Sequence, residues 1–189
     1  MASALPYRAC VGVALINRDG AAFIGHRKRD DAEIVGQHAW QMPQGGIDPG
    51  EAPIAAALRE LYEETNVVSA EFVAEAPEWL SYDLPVRATG RWRGVYRGQT
   101  QKWFLFRFTG EESEIDVDRP AGGAHAAEFD AWRWERLEKI PELVVPFKRA
   151  VYEEVVALFA PLASRAASST PASSKSNGGN IPSPLVGEG

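Results

Sequence analysis

The sequence predicts a single α/β domain, an α/β/α sandwich in which helices cover both faces of a mixed sheet. Two observations predict this class. Short runs of apolar and β-branched residues, bounded by turn residues, alternate with stretches whose apolar residues recur at helical period. The run at residues 103–108 is almost unbroken apolar, which is typical of a strand buried on both faces. Such a sheet needs a layer of helices on each side.

The first part of the chain predicts a hairpin, a short strand and a loop. Residues 9–16 and 21–25 are apolar and flank the turn sequence Asn17-Arg18-Asp19-Gly20, which favours a hairpin. Residues 39–43 alternate apolar with polar side chains and predict a short strand. Residues 44–50 are so rich in Gly and Pro that we expect an irregular loop there. Further strands are expected at 72–74, 80–84, 103–108 and 128–134.

Two helices are predicted. Residues 51–64 follow a helical period, with Pro53 in the first turn, where proline is tolerated. Residues 147–159 form a second amphipathic pattern that begins after Pro146. In the first helix, one apolar stripe is expected to face the core: Ile54, Ala57, Leu58 and Leu61.

Composition limits both the size of the fold and the classes of function. The 189 residues, 45% hydrophobic, fit one domain at 1–162, and the Ser-, Ala-, Gly- and Pro-rich remainder at 163–189 predicts a disordered tail. A net charge of -6 argues against a broad basic surface, so any contact with nucleic acid is expected to be local. Cys10 is the single cysteine, and no apolar run is long enough to span a membrane. We therefore expect a cytoplasmic protein without membrane contact.

Three glutamates in the first predicted helix suggest a metal site. Glu60, Glu63 and Glu64 stand at i, i+3 and i+4, which places their carboxylates on one helix face. Mg²⁺ takes oxygen ligands from carboxylates, waters and phosphates, and would explain such a cluster. The alternative is a solvated acidic face. Gly45 and Gly46, which precede the helix, are compatible with close approach to phosphate or with an ordinary turn.

The spacing around this helix closely resembles the Nudix box of the Nudix hydrolase superfamily. The matching positions are Gly45, Glu51, the run Arg59-Glu60-Leu61-Tyr62-Glu63-Glu64-Thr65, and Val67. The resemblance implies the Nudix fold and hydrolysis of a pyrophosphate linkage with Mg²⁺, or with Mn²⁺ as a substitute. Asn66 stands where the family pattern has glycine. We expect a left-handed backbone there, which Asn tolerates best among non-glycine residues.

The resemblance also assigns roles within the box. It implies that three carboxylates bind the metal ions and act in catalysis: Glu60, Glu63 and Glu64. Arg59 would pair with a box carboxylate and hold it in position. Glu51 would either fix the loop before the helix or bind metal. Gly45 and Gly46 would let the substrate phosphates pass close to the backbone.

Several segments outside the box resemble bacterial RNA pyrophosphohydrolases and dinucleoside polyphosphate hydrolases. They lie at residues 7–8, 36–46, 82–85, 98–104, 128–134 and 147–149. This implies removal of pyrophosphate from triphosphorylated RNA 5′ ends, cleavage of diadenosine polyphosphates, or both. By the same resemblance, Glu128 is a further metal ligand, Phe147 and Lys148 contact the first base, and Arg8 lies near the nucleotide or its phosphates. We predict no stable protein partner.

Three other functions stay open at this point. One is a house-cleaning Nudix hydrolase of nucleoside triphosphates or nucleotide sugars. The second is an isomerase on the same fold, which would need a catalytic cysteine, whereas Cys10 lies in a strand expected to be buried. The third is a nucleotide sensor that has lost turnover. The sequence also leaves open which of Arg27 and Arg29 contacts phosphate and which group acts as the general base.

Overall fold

The computed structural model describes residues 5–28, 39–85 and 94–168. Within them, the strands are β1 (Tyr7–Ile16), β2 (Ala22–Arg27), β3 (Trp40–Gln41), β4 (Gln44–Gly46), β5 (Ala70–Glu75), β6 (Leu80–Asp83), β7 (Gly98–Phe108) and β8 (Phe129–Glu135). The α-helices are α1 (Pro53–Thr65) and α2 (Arg149–Ser168). Short 3-10 helices lie at Glu112–Glu114, Pro120–Gly123, Leu137–Glu142 and Pro146–Lys148.

The strands form one mixed sheet, as predicted. Its central order is β3-β2-β1-β7-β5, with β4 paired to β1, β6 to β7 and β8 to β2. The long strands β1 and β7 run parallel, in register from Tyr7 opposite Gly98 to Ile16 opposite Arg107. The other pairs are antiparallel. The parallel pair at the centre needs cover on both faces, which the two α-helices supply.

The core has two layers, one on each face of the sheet. On one face α2 packs against Trp103 and Leu105 through a cluster that includes Tyr152. On the other face α1 packs against Phe104 and Phe106. Residues 103–106 of β7 therefore enter opposite layers in alternation, which explains why this part of the strand is entirely apolar. The α/β/α sandwich is confirmed.

Of two local predictions, the hairpin is confirmed and the loop is partly wrong. The hairpin of β1 and β2 forms, and the Asn17 side chain accepts hydrogen bonds from the backbone amides of Asp19 and Ala21, both at 3.0 Å. The irregular loop expected at 44–50 was wrong for its first residues, because β4 pairs Gly45 with Val11 and Gly46 with Cys10. Two adjacent glycines can join a sheet when the neighbouring strand supplies the backbone partners.

The predicted apolar stripe of α1 was wrong for two of its four residues. Ala57 and Leu61 are buried, but Ile54 and Leu58 are 39% and 42% exposed. The buried face instead continues from Leu61 to Glu64, one turn along the helix. Burial of a carboxylate in place of two aliphatic side chains is not what hydrophobic patterning predicts. The face of α1 that carries Glu60, Glu63 and Glu64 is therefore turned toward the interior of the domain.

The C-terminal helix is longer than expected. After the 3-10 turn at Pro146–Lys148, α2 continues to Ser168, beyond the domain boundary expected at 162. The remainder of the predicted tail lies outside the described residues. Among the residues that the structure describes, no helix is long and apolar enough to cross a membrane. The cytoplasmic location stays a prediction.

A pair of leucine substitutions tests which face of α1 stabilises the fold. Leu61→Ala should lower the free energy of unfolding by about 2–5 kcal/mol, because it leaves a cavity under the sheet. Leu58→Ala, at an exposed position of the same helix, should change it by less than about 1 kcal/mol. Urea denaturation followed by circular dichroism measures both. Equal losses would show that the buried face has been assigned incorrectly.

Candidate active site

The guanidinium of Arg59 joins the loop before α1 to the helix itself. Its Nε and Nη2 donate to the two carboxylate oxygens of Glu51, at 2.8 and 2.9 Å, and Nη2 also donates to the carbonyl of Gly46 at 2.8 Å. Its Nη1 donates to Glu60 at 2.9 Å and to Glu63 at 3.0 Å. A planar group with five N–H donors suits this task. One side chain thus fixes three carboxylates and a backbone carbonyl.

Glu51 is held on both of its oxygens. Besides the two bonds from Arg59, its Oε2 accepts the backbone N–H of Asp48 at 3.0 Å. The hydrogen bonds from Arg59 first, and then from Asp48, lower the pKa of Glu51 to about 2. The same carboxylate raises the pKa of the Arg59 guanidinium. Of the two roles expected for Glu51, this geometry favours fixing the loop.

Glu64 lies in the interior with only part of its hydrogen-bonding capacity used. Its Oε2 accepts the backbone N–H of Gln44 at 3.2 Å. Its Oε1 is buried and has no hydrogen-bond partner among the described residues. Burial raises the pKa of Glu64 well above its usual value, and the nearby charges of Glu128 and Glu60 raise it further. The pKa of Glu60 is also raised, chiefly by burial. Negative charge is therefore crowded at this end of α1.

The two glycines of β4 leave space for the charged groups around them. A methyl group on Gly45 would overlap the carboxylate of Glu60, and one on Gly46 would overlap the guanidinium of Arg8. Neither backbone has a positive φ, so the requirement is close approach and not an unusual turn. The glycines bring the strand backbone against one acidic and one basic side chain at adjacent positions.

A chain of side-chain amides runs through the sheet beneath this site. Trp103 Nε1 donates to Gln101 Oε1 at 3.1 Å, Gln101 Nε2 to Gln44 Oε1 at 3.1 Å, and Gln44 Nε2 to Gln41 Oε1 at 3.3 Å. Lys148 Nζ donates to the same Gln41 oxygen at 3.2 Å. Indole and ammonium groups only donate, so the two ends of the chain fix the orientation of every amide between them.

Positive charge also lies near the acidic cluster. Lys148 is buried, and burial first, with repulsion from Arg27, lowers its pKa to about 7. The charge of Glu64 opposes this shift, so Lys148, Arg27 and Glu64 lie near one another. Phe147 is partly buried, with its ring centre 5.6 Å from that of Tyr82. The structure thus brings Arg27 to the site, whereas Arg29 lies outside the described residues.

Comparison with known proteins identifies the family. The NUDIX domain family matches residues 6–155. The chain belongs to the NUDIX family. An RNA pyrophosphohydrolase of a Bradyrhizobium species is 59% identical over 160 residues, which cover 84% of this chain and 95% of that protein. An RNA pyrophosphohydrolase of Rhodopseudomonas palustris is 60% identical over 160 residues, with the same coverage of 84% and 95%.

Solved structures share the fold at low sequence identity. The dihydroneopterin triphosphate pyrophosphohydrolase of E. coli has a TM-score of 0.58 and 19% identity, covering 81% of this chain and 99% of that one. A C. elegans Ap4A hydrolase binary complex has a TM-score of 0.54 and 18% identity, covering 80% and 98%. These likenesses show the NUDIX fold and carry no information on substrate. The fold expected from the box is confirmed.

The four expected metal ligands of this NUDIX domain are not equally placed. Glu60 and Glu63 share Nη1 of Arg59, and Glu64 is buried beside Gln44. Glu128 is exposed just before β8, yet its charge raises the pKa of both Glu60 and Glu64. Within the described ranges, no three acidic, histidine or cysteine side chains already surround a common point as metal ligands.

Several residues that support the NUDIX site were not predicted. The hydroxyl of Tyr152, in α2, accepts the backbone N–H of Met42 at 3.1 Å and so fixes the segment that leads into β4. His125 Nε2 lies 3.7 Å from Glu63 Oε1, although no role was expected for it. Gln101 is fully buried although it lies in the polar first half of β7, so the sequence carried no signal of its burial.

Replacement of Arg59 by lysine tests the guanidinium as the link between loop and helix. Arg59→Lys removes the fork and leaves Glu51, Glu60 and Glu63 without its matched donors, so the free energy of unfolding should fall by roughly 1–3 kcal/mol. Arg107→Lys is the matched control, since Arg107 faces an exposed carboxylate of Glu71 at 3.5 Å and should cost less than about 1 kcal/mol. Denaturation curves that coincide for both variants would contradict the assigned role.

The buried carboxylate of Glu64 should make the metal-free protein less stable as pH rises. Its pKa is raised in the folded state, so the folded state holds its proton longer than the unfolded chain does. Stability is therefore lost as pH rises from about 4.3, the unfolded value, through the folded pKa. In chelator at pH 7, Glu64→Gln should be more stable than wild type by roughly 1–3 kcal/mol.

The controls for this prediction are pH and position. Near pH 4 the advantage of Glu64→Gln should disappear, because both states of the wild type then carry the proton. Glu78→Gln, at an exposed position, should leave the unfolding free energy unchanged at both pH values. A Glu64→Gln variant that is less stable than wild type at pH 7 in chelator would contradict the assignment.

Proposed function

We propose that this chain is a metal-dependent pyrophosphohydrolase that removes pyrophosphate from the triphosphorylated 5′ ends of RNA. The observation that carries the proposal is the 59% identity, over 95% of its length, to a protein named RNA pyrophosphohydrolase. The family match over residues 6–155 supports a hydrolase of pyrophosphate bonds. The arrangement of carboxylates around Arg59 supports the same chemistry.

Divalent metal ions are a general requirement of NUDIX hydrolases, and Mg²⁺, with Mn²⁺ as a substitute, is the ion we propose for this chain. The residues that would hold it are Glu60, Glu63, Glu64 and Glu128. The fit is supported by the buried Glu64 Oε1, which lacks a hydrogen-bond partner among the described residues. It is also supported by the raised pKa of Glu64, which is caused first by burial and then by the charges of Glu128 and Glu60. A bound ion would neutralise charge on the phosphates and lower the pKa of a bound water.

The chain's own residues orient the reacting groups. Arg59 holds Glu60 and Glu63 on one side of the helix, so that these carboxylates need little reorganisation during the reaction. Gly45 lets the backbone lie directly against Glu60. The chain of side-chain amides from Gln101 to Gln41 supports the same strand. The acidic groups therefore lie on a helix packed against a sheet, which is more rigid than a loop.

The basic groups near the acidic cluster suit a polyphosphate. Burial first, and then repulsion from Arg27, lowers the pKa of Lys148, and a bound phosphate would offset both effects. Arg8, whose guanidinium lies against Gly46, is a further candidate for phosphate oxygens. Phe147, which is partly buried against Tyr82, is the candidate for stacking on the first base. The buried position of Lys148 favours a role with phosphate over contact with an exposed base edge.

The alternative functions are weaker on this structure. The likeness to a C. elegans Ap4A hydrolase is at 18% identity, so the proposal puts RNA ahead of diadenosine polyphosphates. An isomerase that uses Cys10 is disfavoured because that thiol is fully buried and its burial raises its pKa to about 11. A house-cleaning hydrolase and a nucleotide sensor remain as outcomes of the experiment below.

The direct test compares two substrates under two metal conditions. Purified protein is given 5′-triphosphorylated RNA or diadenosine tetraphosphate at equal concentration, with Mg²⁺ or with chelator, and phosphorus-containing products are quantified. We expect release of pyrophosphate from RNA that chelator abolishes, and at least about tenfold slower cleavage of the dinucleotide. Preference for the dinucleotide would overturn the RNA assignment. Turnover of neither substrate would also overturn it and would favour a house-cleaning hydrolase, or a sensor where the protein still binds the nucleotide.

A substitution ties the activity to α1. Glu63→Gln should lower kcat by on the order of 1,000-fold with little change in the unfolding free energy, because it removes a negative oxygen from the proposed metal set. Glu78→Gln, at an exposed position remote from the box in sequence, should retain wild-type kcat. Near-wild-type turnover by Glu63→Gln would contradict the proposed role of the box.

A further inference from the structure

The segment between β7 and β8 is built onto the C-terminal end of α1. Ile115 and Val117 are buried in the same cluster as Leu61. The backbone N–H of Asp116 donates to the carbonyl of Thr65 at 3.0 Å. This segment leads to His125, whose Nε2 lies 3.7 Å from Glu63 Oε1. Its position therefore decides what surrounds a carboxylate of the proposed site.

Asn66 contacts this segment at two separate points. Its Nδ2 donates to the carbonyl of Glu114 at 3.3 Å, and its Oδ1 accepts the backbone N–H of Gly122 at 3.0 Å. Its own backbone ends α1 in the left-handed region, at φ 67° and ψ 3°, with its N–H bonded to the carbonyl of Tyr62 at 2.9 Å. The expected left-handed cap is confirmed. Glycine would permit the same backbone but would lack both side-chain bonds.

The turn that Asn66 reaches is one that needs an external restraint. Ala121 has φ 51° and ψ 41°, and Gly122 follows at φ 66° and ψ 17°, so two consecutive residues are left-handed. A non-glycine residue in that region is strained and persists only where its surroundings impose it. The Oδ1 of Asn66 bonds directly to the amide of this turn. A side chain at the end of α1 thus helps to hold a strained turn in place.

We propose that Asn66 is a positioning residue that fixes the 114–122 segment and thereby the place of His125 beside Glu63. It acts through the loop and does not touch substrate. The part of the proposal that concerns Glu63 rests on the proposed function of the box. The part that concerns the loop does not, because the two bonds of Asn66 exist whatever the protein hydrolyses.

The substitution Asn66→Gly separates the side-chain bonds from the backbone conformation, since glycine adopts a positive φ readily. Hydrogen exchange of backbone amides should become about tenfold faster at Gly122 and its neighbours, while the amides of β1 and β7 exchange as in wild type. With triphosphorylated RNA and Mg²⁺, kcat should fall about tenfold while KM changes less than about twofold. The reason is that a displaced loop moves His125 away from Glu63 but leaves the residues that contact substrate in place.

Asn66→Asp is the conservative variant. It tolerates the left-handed backbone and keeps an oxygen acceptor for the Gly122 amide, but it loses the donor to the Glu114 carbonyl, so it tests the Gly122 bond by itself. Because the Gly122 bond holds the strained turn, exchange at Gly122 should stay within about threefold of wild type, and kcat should recover most of the loss. Unchanged exchange at Gly122 in Asn66→Gly, or equally fast exchange there in both variants, would overturn the role of the bond from the Gly122 amide to Asn66. Faster exchange with unchanged kcat in Asn66→Gly would overturn the link to Glu63. Exchange alone decides the loop bond even where wild type fails to hydrolyse RNA.

Discussion

The site depends on one cation that holds three anions together. Glu51, Glu60 and Glu63 belong to a loop and two turns of a helix, and their charges repel. Arg59 offsets that repulsion by donating to all three and to the carbonyl of Gly46. A lysine ammonium, a point charge with three donors, cannot match the five acceptor atoms of these four groups. The hydrogen bonds of the Arg59 guanidinium therefore fix the position of the backbone before α1.

The helix that carries these groups gives up stability to present them. Its interior face includes Glu64, whose burial raises its pKa, while Ile54 and Leu58 remain partly exposed. Rotating the helix to bury the two aliphatic side chains would favour folding by the usual hydrophobic accounting, but would turn the acidic row away from β4. The orientation observed is the one that a site requires. Natural proteins break local rules at functional positions, and this helix does so at Ile54, Leu58 and Glu64.

The sequence predicted those features of the fold that depend on residues adjacent along the chain. The turn at Asn17, the left-handed Asn66 and the two-sided burial of β7 each follow from a few adjacent residues and were all found. The contacts that it missed are between residues far apart in the sequence. The bond from Gln101 to Gln44 spans 57 residues and the bond from Lys148 to Gln41 spans 107, so no local pattern contains either. The burial of Lys148 and the pairing of β4 belong to the same class, because both are set by the partner strand or helix.

The glutamine chain explains why such separate segments must fit one another. Trp103 sets the orientation of Gln101, which sets that of Gln44 and then of Gln41, so that an oxygen faces Lys148 at the far end. The backbone of Gln44 meanwhile donates to Glu64. One residue thus links the basic side of the site to the acidic side. A substrate that brings phosphates needs both a cation and anions that can bind metal, held at a fixed separation. A buried amide network holds them so because every amide in it has only one satisfactory orientation.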